Sequence, residues 1–172
     1  MKRFFVFAML VVSCSSDIRV FTDHDKDYDI RTYTYYRWSE IKNIESNRNP
    51  IYYNELNDKR IKSAVNKELR KKGYLESAQQ AELVLHYHIV VDDMVAYREN
   101  PVFHHDASWM RPEIAYYKYN QGTLIIDIMD ISNCLIWRGY ASQILDDPAS
   151  DLSEVKIDEA IVKLFTKLPA KK

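Results

Sequence analysis

Two hydrophobic periods stand out along the chain. Between Asn54 and Lys72, Leu56, Ile61, Val65 and Leu69 recur at helical spacing and predict an amphipathic helix, with Asn54 or Asn57 as its cap. Gly73 follows where a left-handed C-cap residue belongs, and Arg70, Lys71 and Lys72 suit the negative end of the helix dipole. From Ala81 to Asp92 the period changes to two. Leu83, Leu85, Tyr87, Ile89 and Val91 point one way, and His86, His88 and Asp92 point the other. One apolar and one wetter face describe an antiparallel strand covered on one side only.

Weaker patterns complete the map. Ile18–Thr22 and Thr32–Trp38 are rich in β-branched and aromatic residues and read as strands around the acidic turn Asp23–Asp29. Pro50 breaks the chain before the helix. Residues 93–112 are irregular and hold Pro101 and Pro112, which predicts a long loop, with Glu113–Tyr119 a candidate further strand. Thr123–Asp130 and Leu135–Ala141 form a hairpin through Ile131, Ser132, Asn133 and Cys134. Asp151 with Glu154 resembles a capping box, followed by Ile157, Ile161, Leu164 and Leu168 on one helix face and a stop at Pro169. The order β-β-α-β-β-β-α predicts an α+β two-layer sandwich, an antiparallel sheet with two amphipathic helices on the face of Leu83 and Leu85.

The first residues change the picture from fold to place. Lys2 and Arg3 precede a nine-residue apolar run, Phe4–Val12, which suits a signal peptide and is too short to span about 30 Å of hydrocarbon. Val11-Val12-Ser13-Cys14 has the order of a bacterial lipobox, so residues 1–13 are read as a lipoprotein signal peptide. Cys14 is then the lipidated first residue, 14–17 a short tether, and 18–172 a single domain without repeats. Several acyl chains, at about 0.8 kcal/mol per buried methylene, anchor such a terminus permanently. Without Lys2 and Arg3, 22 basic residues face 25 acidic ones, a net charge of −3, so the lipid and not the protein charge is expected to hold the membrane. Ser15 after the cysteine favours sorting to the outer membrane, facing the periplasm.

Composition then removes whole classes of activity. Three glycines in 172 residues leave no phosphate-cradling loop, and a near-zero charge argues against nucleic acid as a partner. Two cysteines cannot build a disulfide scaffold or a zinc ribbon. His86 and His88 share a strand face and are candidate metal ligands, with Asp92 further along, but a zinc centre needs a third ligand, for which only His104, His105 or Asp106 of the irregular segment offer themselves. Both histidines also fit the wet side of a sheet, and no metal or other cofactor is expected. Asp127 and Asp130, three apart on a strand, face opposite ways and cannot act as one acid/base pair. Asp127 instead suits Arg138 across the hairpin, a pair worth under about 1 kcal/mol if exposed. No serine or cysteine lies in a nucleophile elbow, and Cys134 reads as a structural turn thiol. Tyr33, Tyr35, Tyr36, Tyr52, Tyr53, Tyr116, Tyr117 and Tyr119 cluster in short stretches. Tyrosine is both a good strand former and an interface residue, and Tyr116, Tyr117 and Tyr119 are the candidate binding residues.

Several blocks come in a familiar order. They are the lipobox cysteine, the Asp-rich turn ahead of Tyr35-Tyr36-Arg37-Trp38, Arg60-Ile61 through Leu69 to Lys72-Gly73-Tyr74, and Ala81-Glu82-Leu83-Val84. Gly122-Thr123-Leu124-Ile125-Ile126-Asp127, Leu135-Ile136-Trp137-Arg138-Gly139 and the terminal Lys167-Leu168-Pro169 follow. Together they resemble the DUF4136 family of bacterial lipoproteins over nearly all of the mature chain. The resemblance implies an envelope lipoprotein with an α+β domain and no established activity, so it brings no catalytic residues. Glu82 departs from a more usual Asp, and Cys134 from a small polar turn residue. Gly122 and Gly139 read as strand glycines marking close backbone approach, and Trp38 and Trp137 as core anchors. The expectation is a non-enzymatic module that binds or scaffolds another envelope protein. The alternative is a domain binding a small molecule, glycan or lipid in an aromatic groove near residues 93–119.

Overall fold

The computed structural model describes residues 18–40, 50–103, 110–145 and 152–171. Residues 1–13, read above as a signal peptide, and Cys14, His104, His105, Asp106 and Asp151 lie outside the described residues.

Among the described residues the chain forms an α+β fold of one six-stranded sheet and two helices. Strands β1 (Arg19–His24) and β2 (Tyr35–Trp38) come first, separated by a 3-10 turn at Ile30–Thr32. Helix α1 (Glu55–Lys71), the two-residue β3 (Leu75–Glu76), β4 (Leu83–Phe103), β5 (Met110–Asp130), β6 (Leu135–Leu145) and helix α2 (Glu154–Phe165) follow. Across the sheet the order is β1-β6-β5-β4-β2-β3. The sheet is mixed and not antiparallel throughout, because β2 runs parallel to both β3 and β4. Helix α1 is the reason: a chain that crosses over through a helix returns in the direction it left.

Local chemistry explains most element ends. Asn54 caps α1, its side chain accepting the N–H of Asn57 at 2.9 Å. Gly73 closes the helix with φ +89°, a left-handed conformation glycine adopts without steric penalty. Asp29 accepts the N–H of Arg31 and turns the chain at Ile30, so β2 begins at Tyr35 and not at Thr32. Ser153 caps α2, accepting from Lys156 N, where Asp151 was expected; the helix ends at Phe165, with Leu168 buried beyond it. Leu56 is 62% exposed, because the buried stripe of α1 runs through Asn57, Ile61, Ala64, Val65, Glu68 and Leu69. Buried Asn57 spends its amide on the carbonyls of Ile51 and Tyr52, so the first turn is tied down by hydrogen bonds rather than by a leucine.

Leu83, Leu85, Tyr87 and Ile89 are buried on one face of β4, as their alternation predicts. On that face Tyr87 Oη donates to Asp58 Oδ1 of α1 at 2.8 Å. Gly139 lies in the same cross-strand row as Ile126 and Tyr87, and Leu164 of α2 fills the space beside it. Ile61, Val65, Ile161, Leu164 and Phe165 are almost wholly buried. Each such side chain contributes roughly 1.5–3 kcal/mol of transfer free energy, so packing holds the helices more than their intrinsic propensity does.

The largest departure lies at residues 93–112. Residues 93–103 and 110–112 are no loop: β4 and β5 pair without a break from Leu83↔Asp130 to Phe103↔Met110, and Glu113–Tyr119 is part of β5; residues 104–109 lie outside the described residues. The sheet proper ends earlier, since β6 stops at Leu145↔Asn120 and β2 pairs with β4 only at Leu83–Leu85. Beyond Asp93↔Asn120 the hairpin continues as a two-stranded ribbon among the described residues. Pro101 faces Pro112 within it. Proline is tolerated on edge strands because its missing donor can point away from the ladder, and both strands of a ribbon are edges.

Candidate functional site

The sheet face opposite the helices gathers most of the sequence-predicted chemistry. His86 and His88 share it, with ring centroids 4.3 Å apart and planes at 74°. Asp127 is the cross-strand partner of both His86 and Arg138. The Arg138 guanidinium donates through Nε to Asp127 Oδ1 at 2.5 Å and through Nη2 to Oδ2 at 2.7 Å, a forked pair. His88 Nε2 lies 3.7 Å from Asp127 Oδ2, a close approach rather than a hydrogen bond. The hydrogen bond to Asp127, with a further one to Tyr140, raises the pKa of Arg138 above its usual value. The Asp127 side chain is 5% exposed and that of Arg138 36%, so this is no surface pair. Each carboxylate oxygen accepts one nitrogen of the Arg138 fork.

Asp130 lies on the other side of the strand, as the odd spacing predicts. Its Oδ1 accepts the N–H groups of Ser132 and Cys134, closing the β5–β6 turn in which Asn133 takes φ +65°. Cys134 is exposed in that turn. Tyr28 lies against it, and the charges of Cys134 and Asp130 push the Tyr28 phenol above its ordinary pKa. Among the described residues no three His, Cys, Asp or Glu side chains converge on a metal position. His86 and His88 are neighbours, then, and Asp92 is four residues further along the strand.

The tyrosines divide into two populations. Tyr36, Tyr52 and Tyr74 are buried, and Tyr33 and Tyr53 pack on the core. Tyr36 Oη and Trp38 Nε1 both donate to Asn66 Oδ1 of α1 at 3.0 Å. Burial raises the Tyr74 phenol to about 12. Tyr116 and Tyr117, by contrast, stand 72% and 48% exposed on the ribbon. Tyr119 joins Phe21, Tyr140, Ile144 and Arg19 around a shallow groove of about 250 Å³ on the open sheet face. Phe21 and Tyr140 are in ring contact at 6.0 Å, and Phe21 is 66% exposed. Sequence reading missed Phe21, Tyr140 and Ile144 as surface residues. The signal was available, because counting by twos from Arg138 places Tyr140 and Ile144 on its face. On the helix side a pocket of about 50 Å³ lies among Ile18, Tyr52, Ile89, Leu124, Leu145 and Ile157, room for little more than a few water-sized groups.

Glu82 has a structural task. Its Oε2 accepts the N–H groups of Thr34 and Tyr35 at 2.7 and 3.1 Å, tying the start of β2 to the start of β4. These hydrogen bonds, with the charge of Lys171 adding to them, hold the carboxyl below its ordinary pKa. A depressed folded pKa stabilises above the unfolded value of about 4.3 and is lost as pH falls through the folded one. Urea unfolding of Glu82→Gln against the parent should therefore show a gap that is widest near neutral pH and closes on acidification. A gap independent of pH would mean that the charge of Glu82 contributes nothing.

No helix among the described residues is long and apolar enough to cross a membrane. Comparison with curated proteins returns no match. Among solved structures, a PDZ domain protein from Parabacteroides distasonis ATCC 8503 is similar at 17% identity and a TM-score of 0.48, over 90% of this chain and 38% of that one. The chain thus spans well under half of that protein. Two PelC dodecamer structures from Paraburkholderia phytofirmans are similar at 13% identity, with TM-scores of 0.42 and 0.41. They cover 84% and 86% of this chain and 94% and 97% of theirs. The likeness in sequence reaches further: residues 20–170 match the family described as a domain of unknown function, DUF4136, and the chain belongs to that family.

Proposed function

We propose that the chain is a lipoprotein of the bacterial cell envelope, anchored through acyl chains on Cys14 to the outer membrane and facing the periplasm. Its task in this reading is non-enzymatic: it holds another envelope protein. The observation that carries the reading is the open sheet face, where Phe21, Tyr140 and Ile144 form an apolar surface with no layer of this chain over them among the described residues. An uncovered apolar patch on a folded domain marks a contact surface, and aromatic side chains dominate such contacts. The forked Asp127–Arg138 pair beneath it supports a binding rather than a catalytic role. The groove beside Tyr119, with Gln121 and Gln143 on its rim, favours a glycan or small amphipathic ligand as the second reading.

A photo-crosslinking amino acid at Phe21, in living cells, tests both. The expected result is one recurrent protein adduct at Phe21, absent from the same probe at Val155 on α2 and lost in Cys14→Ala. Adducts with glycan or lipid alone would transfer the site to the second reading. No adduct at Phe21 above that at Val155 would overturn the open face as the binding surface.

A further inference from the structure

We propose that the β4–β5 ribbon lies in the headgroup layer of the membrane that carries the protein's own lipid anchor; this rests on Cys14 being acylated, as read above. Strand direction supplies the argument. Arg19 pairs with Ser142, which pairs with Thr123, and β1 runs from there toward His24, away from the ribbon. The chain preceding Arg19 therefore leaves the sheet at the end from which the ribbon projects. Five Cα steps separate Cys14 from Arg19, a reach of about 18 Å at full extension. From the level of Thr123 to Met110 the ribbon side runs thirteen residues, about 44 Å of extended strand. The ribbon thus overshoots the farthest position of the bilayer surface by about 26 Å. It cannot pass through the bilayer, because a two-stranded ribbon has two unpaired edges that hydrocarbon does not solvate. It must run along the surface.

The side chains suit that position. Val95, Tyr97 and Tyr116 are 61%, 71% and 72% exposed, and Tyr97 is the cross-strand partner of Tyr116. Met94 and Tyr117 are exposed on the other face, so apolar groups point both ways, as immersion among headgroups allows and a flat protein contact on one face does not require. Tyrosine concentrates at membrane interfaces, with its ring toward the acyl chains and its hydroxyl in water. The sequence of the two arms, 93–103 and 110–120, has three acidic and three basic residues, so the attraction is interfacial and not one of net charge. An isolated two-stranded hairpin is marginal in water, and the interface supplies the cover that a third strand would otherwise give.

The test uses the lipidated full chain, purified from membranes and reconstituted into vesicles of phosphatidylethanolamine and phosphatidylglycerol carrying acyl-chain nitroxides. Cys134 is exposed in the turn at the opposite end of the sheet and serves as the distant fluorophore site. Tyr116→Cys and Tyr97→Cys, each with Cys134→Ser, place the fluorophore on the ribbon at exposed positions. The mass of the N-terminal peptide reads acylation separately. The expected result is an acylated Cys14, loss of most of the fluorescence at both ribbon sites, and none at Cys134. Acylated Cys14 with equal signals at the ribbon and at Cys134 overturns the ribbon proposal and leaves the anchor standing. A blue-shifted but unquenched ribbon label puts protein over the ribbon instead, and also overturns it. An unmodified Cys14 removes the anchor itself, and the tether argument falls with it.

Discussion

Arg138→Met is expected to lower the unfolding free energy by about 3–5 kcal/mol at neutral pH, the range for stripping one partner from a buried ion pair. For a chain of this length that is a fall of about 6–20 °C in melting temperature. The sequence alone suggested a surface pair worth less than about 1 kcal/mol. Burial decides between the two figures: the Asp127 side chain is 5% exposed and relies on both nitrogens of the Arg138 fork. In the variant the carboxylate stays in the sheet without its cation. His88 Nε2 lies 3.7 Å from Oδ2, His86 pairs across the strand, Tyr140 remains nearby, and Asp23 stands opposite Arg138 in the register. Urea unfolding at neutral pH reads this directly. Adding Asp127→Asn to Arg138→Met should recover much of the loss at neutral pH, because the uncompensated charge is gone. A single-variant loss below about 1 kcal/mol would return the pair to the ordinary surface class.

The parts of this fold that the sequence disclosed are those set by local period and local chemistry. Leu83, Leu85, Tyr87 and Ile89 alternate because one face of β4 is covered, and that face is legible from spacing alone. The same parity put His86 and His88 together and kept Asp127 and Asp130 apart. The hidden parts are set by partners distant in the chain. Nothing within Tyr35–Trp38 says that it runs parallel to β4; that follows from the crossover through α1. Residues 93–112 read as a loop because Pro101 and Pro112 are strong breakers considered singly, yet opposite each other on a ribbon neither needs to donate to the ladder. Leu56 reads as part of the apolar stripe from its hydrophobicity, whereas the helix buries the polar Asn57, whose amide satisfies the carbonyls before it. Ile144 shares the parity of Arg138 along one strand, whereas Phe21 becomes legible only through its register opposite Tyr140. A local pattern tells which way a side chain points, but not what stands there to meet it.

Gly139→Ala is the sharpest test of how closely α2 sits on the sheet. A Cβ at this position would lie 2.4 Å from Trp137 Cη2 and 2.7 Å from Leu164 Cδ1, well inside van der Waals contact. Neither neighbour has anywhere to go. Trp137 is 2% exposed and in ring contact with Phe165 at 5.7 Å, and Leu164 is fully buried. One methyl group must therefore move the indole, the helix or both, and overpacking of this kind costs about 1–3 kcal/mol, with the upper end expected where two rigid neighbours are met at once. The small entropic gain from removing a glycine, about 0.4–1 kcal/mol, acts in the opposite direction and does not offset it. The net expectation is a loss of about 2 kcal/mol, or about 4–8 °C in melting temperature. Leu164→Ala by itself should cost about 2–5 kcal/mol through its cavity. Because the new methyl group would occupy part of that cavity, the double variant should be more stable than the sum of the two losses predicts, with a coupling well above the few tenths of a kcal/mol seen for independent sites. Strict additivity would separate Gly139 from Leu164, and with it the seat of α2 against the sheet.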